Sequence, residues 1–192
     1  MSVPFKDAAE LDAGGTAAFL RLGPASPDGL GDRRRGGALF QVNARGAPVE
    51  FTYNRLDLPS GALWRPEQLE REAAKALARS LFEAARRTPL VLLCLAAEVD
   101  AAMFAGDLEV QIPVCRVGVE VGGGGGGGGP FEATSFERIV SAEVTAHLFW
   151  RPALPSPESP PRRLVTTLAA RGLLLEPFER ALAGFHEALS GA

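Results

Sequence analysis

The chain has 192 residues, 46% of them hydrophobic, and its 20 basic and 23 acidic side chains leave a net charge of -3. That length and apolar content suit a single domain, 1–192, around one core. The acidic balance removes the whole-chain attraction to phosphate that nucleic-acid binders usually show, so nucleic acid is an unlikely partner on this count.

The N-terminus, "MSVPFKDAAELD", carries acids where a signal peptide needs an apolar stretch, and the longest apolar run, 90–97, is too short to span a bilayer. Cys94 and Cys115 lie inside apolar runs and read as small buried hydrophobes in a reducing compartment. These features point to a cytoplasmic protein with no membrane segment. All basic residues but Lys6 and Lys75 are arginine, a usage that fits a GC-rich bacterial genome.

In chain order, "AAFLRL" has the composition of a strand, and the glycine-, proline- and aspartate-rich residues 23–36 read as a flexible loop. "ALFQVN" and "VEFTY", separated by "ARGAP", predict a β-hairpin. Alternation then puts Val49, Phe51 and Tyr53 on one face and Glu50, Thr52 and Asn54 on the wetter one. Leu69, Ala73, Leu77, Leu81 and Ala84 recur at helical spacing after Pro66 and predict one long amphipathic helix. "LVLLCLA" lacks polar alternation and reads as the doubly covered centre of the sheet. Residues 107–121 are β-rich, with Pro113 arguing for an edge or a bulge.

Eight glycines, Gly122 to Gly129, predict a flexible loop over 122–130; they lack the lysine and hydroxyl of a phosphate loop. Residues 131–141 fit a helix or a strand equally. "EVTAHLFW" alternates as a strand, the prolines of 151–161 predict a solvated crossing loop, and two helices close the chain, with Gly172 and Pro177 marking their ends. The fold class expected is α/β (α+β), with a mixed, mostly antiparallel sheet, a hairpin, one long helix and two C-terminal helices.

Chemistry-bearing residues form no recognisable motif. Cys94, Cys115, His147 and His186 share no zinc-ligand spacing, no serine occupies a nucleophile-elbow frame, and nothing calls for a cofactor or a metal. Glu50 reads as a solvated or arginine-paired strand carboxylate and His147 as a hydrogen-bonded strand histidine. Arg33, Arg34 and Arg35 make a basic run suited to an anion or an acidic partner. Trp64 and Trp150, at element ends, are core caps or partner anchors. Aromatic residues amount to 7% and look committed to the core, which weighs against single-strand binding.

The order hairpin, long helix, further strands, terminal helix over residues 36–150 resembles the roadblock and longin-type α/β modules. That likeness implies a cytoplasmic protein-interaction module without catalysis, with a protein partner or a homo-oligomer. Two alternatives stand beside it: a small-molecule enzyme with a pocket near Glu50, Asp57 or His147, and a nucleic-acid-associated accessory protein using Arg33, Arg34 and Arg35.

Overall fold

The computed structural model describes residues 15–24, 34–59, 65–104, 106, 108–119, 136–140 and 145–190. Its first long-range structure is closed by Asn43. The Asn43 Oδ1 accepts the amides of Arg45 and Ala47 at 2.9 and 3.0 Å, and Gly46 turns the chain with φ of 77°. The turn joins β2 (Arg34–Asn43) to β3 (Pro48–Asp57), and β1 (Thr16–Pro24) lies antiparallel on the other side of β2.

From β3 the chain crosses through helix α1 (Pro66–Ala84) to β4 (Val91–Leu95), which pairs parallel with β1. A short 3₁₀ turn (Ala101–Phe104) leads to β5 (Val114–Val119), parallel to β4. The strands β6 (Phe136–Val140) and β7 (Thr145–Arg151) complete a mixed seven-stranded sheet in the order β3-β2-β1-β4-β5-β7-β6. Helices α2 (Pro160–Ala170) and α3 (Glu176–Ser190) close the chain. The expected α/β class is the one observed, and four of the six strand pairings are antiparallel.

The sheet has a core on each face. Phe19, Leu93, Leu148, Leu168 and Phe178 gather beneath α2 and α3, while Leu20, Leu39, Leu77, Leu81 and Leu92 gather beneath α1. Adjacent glycines in β2 let both layers approach. A Cβ on Gly36 would lie 1.9 Å from the Phe185 ring of α3, and one on Gly37 would lie 2.8 Å from Leu22 and 3.1 Å from Leu81 of α1.

Several boundaries differ from the sequence expectation. Gly23 and Gly36 are paired strand residues, as are Pro24 and Arg35, so the strands take both margins of the expected 23–36 loop. Pro113 precedes β5, which is an interior strand, so its missing donor falls outside the ladder. Phe136–Val140 is a strand. Pro160 and Pro161 open α2, where a fixed φ favours the first helical turn. Phe51 and Tyr53, on the expected inner face of the hairpin, are 36% and 48% exposed because β3 is an edge strand. The glycine tract lies outside the described residues.

Candidate nucleic-acid interface

The parallel centre of the sheet fixes where a ligand can enter. From β1 the chain turns to β2 on one side, whereas from β4 it proceeds to β5 on the other, leaving a crevice between their carboxyl ends. Open α/β sheets bind ligands at such a switch point. A cavity of about 410 Å³ lies there, lined by Leu22, Arg35, Glu70, Arg71, Glu98 and Met103.

Its floor is built from charge pairs. Arg21 of β1 donates from Nε to Glu98 Oε2 at 3.0 Å, and its Nη2 lies 2.7 Å from Oε1. The Arg21 Nη1 donates to the Phe178 carbonyl of α3 at 3.1 Å, and the amide of Leu22 donates to Glu98 Oε2 at 3.3 Å. One guanidinium therefore ties β1, the turn after β4 and the last helix together. Arg116 of β5 holds the same turn by donating to the carbonyls of Val99 at 2.9 Å and Ala96 at 3.2 Å. Asp100 accepts the amide of Ala102 at 2.7 Å and starts the 3₁₀ turn.

At the mouth, Arg35 donates from Nε to Glu70 Oε2 at 2.6 Å and from Nη2 to Glu70 Oε1. This pair bridges β2 and α1 and is more open, its side chains 24% and 46% exposed. Such a pair contributes only about 0–1 kcal/mol, so an incoming phosphate can compete for the guanidinium.

The residues singled out in the sequence scatter. Arg35 lines the cavity, Arg34 begins β2 beside it, and Arg33 and Trp64 lie outside the described residues. Trp150 is buried at 3% exposure and donates from Nε1 to Glu137 at 3.3 Å, which makes it a core residue. Glu50 accepts the amides of Arg86 and Arg87 at 2.7 and 3.1 Å and the side-chain amide of Gln41 at 3.3 Å. That network fastens the turn after α1 to β2 and β3. Asp57 ends β3, and His147 lies on β7 against the rings of Phe136 and Phe149, so Glu50, Asp57 and His147 share no pocket. Glu98 and Arg21, the best-formed pair at the switch point, carried no sequence signal beyond an acid just after an apolar run.

No protein-family model matches the chain, and no curated protein matches it. Solved structures do. Endonuclease V from Bacillus subtilis is 12% identical, with 93% of this chain and 82% of that one aligned at a TM-score of 0.53. The catalytic domain of human Endonuclease V is 13% identical, with 91% and 82% aligned at 0.50. The architecture defined here is thus that of a class of nucleic-acid-cleaving enzymes.

These likenesses correct three expectations. The reading as a protein-interaction module without catalysis, made from element order, gives way to a fold shared with nucleases. Protein–protein interaction loses its place as the leading description for the same reason, and nucleic acid moves from an unlikely partner to the leading one. The physical source of the error is averaging, because net charge sums over a surface and conceals where arginines gather.

Divalent-cation nucleases hold their ions with convergent carboxylates. Among the described residues no group of three or more His, Cys, Asp or Glu side chains could hold a metal ion. Glu98 and Glu70 both turn their two oxygens to a guanidinium. The described residues do not fit such an ion, and no hydrolytic step is derived through one.

Proposed function

We propose that the chain engages nucleic acid, with a phosphate of the backbone entering the cleft at the carboxyl ends of β1 and β4. The observation that carries this reading is the cleft itself, a switch-point cavity flanked by Arg35 and Arg71 in a fold shared with Endonuclease V. Arg35 is the residue that meets phosphate, exchanging its Glu70 partner for a second planar anion. Arg21 and Arg116 position the turn that forms the floor and do not leave their partners. The cytoplasm suits this role, and Cys94 and Cys115, both buried and unpaired, fit a reducing compartment. Among the described residues no helix is long and apolar enough to cross a membrane.

Electrophoretic and anisotropy titrations with labelled oligonucleotides test the reading. Arg35→Ser should weaken binding, and Glu70→Gln, which removes the competitor for the same guanidinium, should strengthen it. Unchanged affinity in both variants would remove the cleft from the account. Incubating the same oligonucleotides with magnesium or manganese tests strand cleavage in parallel; the guanidinium-locked carboxylates predict intact strands.

A further inference from the structure

Half of one sheet face has no helix over it among the described residues. Helix α1 packs on β1, β2 and β3, and the segment after the 3₁₀ turn reaches only to Val114 at the start of β5. On β7, Ala146, Leu148 and Trp150 are buried in the core under α2 and α3, while His147, Phe149 and Arg151 on the opposite face are only half-buried. Strand register sets Arg116, Phe149 and Phe136 in one row and Gly118, His147 and Arg138 in the next.

The rings in these rows form one cluster. The Phe136 centroid lies 5.5 Å from that of Phe149 and 5.1 Å from that of His147. Phe149 lies against Gly118, where a Cβ would approach its ring to 3.2 Å, and Phe136 is 41% exposed. Around the rings stand Arg116, Arg138 and Arg151, and no described strand residue on this face is acidic. Glu137 belongs to the other face, where it accepts from Trp150 and from Arg162 at 2.8 Å.

We propose that this open face of β5, β7 and β6 is a stacking platform for single-stranded nucleic acid, an inference that rests on the nucleic-acid reading of the cleft. Interleaved rings and arginines on a sheet offer what a single strand needs, π-faces for unpaired bases and cations for the phosphates between them. A duplex keeps its bases stacked internally and would use only the cations. A second copy of the chain is disfavoured, because two such faces would bring arginines together with no described carboxylate to meet them. The face also adjoins the cleft, since Arg116 in its first row holds the turn that bears Glu98.

The test is fluorescence anisotropy with a fluorescein-labelled fifteen-nucleotide oligothymidine and a duplex of equal length, using the full chain at about 50 mM salt. Phe136→Ala/Arg138→Ser should bind the single strand roughly tenfold more weakly while changing duplex affinity far less. Arg138→Glu, a single exposed change, gives the same test should the double variant fold poorly. Wild-type binding to oligothymidine that both variants retain in full would overturn the platform and leave the cleft reading standing. A wild-type dimer that the variants lose, with oligonucleotide affinity unchanged, would assign the face to a second copy and overturn it equally. Failure of the wild type to bind either oligonucleotide would end both readings together.

Discussion

Glu50 shows how far one residue can be read from its neighbours in sequence. Alternation along β3 places it opposite Phe51 and Tyr53, which is right, and makes it a polar strand residue without chemistry of its own. What alternation cannot supply is its partners, because Gln41 is nine residues away and Arg86 and Arg87 more than thirty. Gln41 is fully buried and also accepts from Thr16 at 2.8 Å and donates to the Arg87 carbonyl at 2.9 Å. Glu50→Ala should therefore cost about 1.5–3 kcal/mol, the range for hydrogen bonds to a charged group, read as a shift in the urea midpoint. The two thiols give a second residue-scale prediction. Burial pushes the Cys94 thiol up to about 12, with Arg116 lowering it and Glu98 raising it, and burial raises Cys115 well above its ordinary value. Both should resist thiol reagents in the native protein at pH 8 and react at once in denaturant. Because the folded pKa exceeds the unfolded one of 9.0, the stabilisation is whole below about pH 9 and is lost as pH climbs toward about 12. Native labelling as fast as that of unfolded chain would contradict the burial.

Among the elements, β4 was legible because a five-residue apolar strand with no polar alternation has one comfortable place, the middle of a sheet covered on both faces. Leu93, with no exposed surface, points into the core under α2 and α3. Leu93→Ala should cost roughly 2–5 kcal/mol by equilibrium unfolding. The loop expected at 23–36 was only partly so, since glycine and proline are read locally as turn residues, whereas Gly36 and Gly37 belong to a strand pressed by helices from both sides. Their reason is long-range, and nothing in the local sequence announces that Phe185 lands on Gly36. Gly36→Ala should lose about 1–3 kcal/mol through overpacking. A neutral Gly36→Ala would mean that α3 sits farther from β2 than the fold places it. The inward face expected for Phe51 and Tyr53 failed for a related reason, because the hydrophobic period of a strand does not say which helix will cover it, or whether the strand ends at an edge.

For the whole molecule, composition bounded the class and misjudged the partner. A net charge of -3 describes the average surface, while the structure concentrates Arg35 and Arg71 at the switch-point cleft and Arg116, Arg138 and Arg151 on one acid-free sheet face. Aromatic residues at 7% are few, yet Phe136, His147 and Phe149 are brought together by a register that no local pattern encodes. Function in this chain resides in where the helices stop, which leaves half a sheet open beside the cleft. The measurement that bears most directly on this account is the salt dependence of oligonucleotide affinity for the unmodified chain, from about 50 to about 200 mM potassium chloride. Capture of roughly three phosphates predicts log affinity falling against log salt with a slope near -2, about -0.7 for each contact on a single strand. Absence of binding at the lowest salt, or an affinity indifferent to salt, would contradict it.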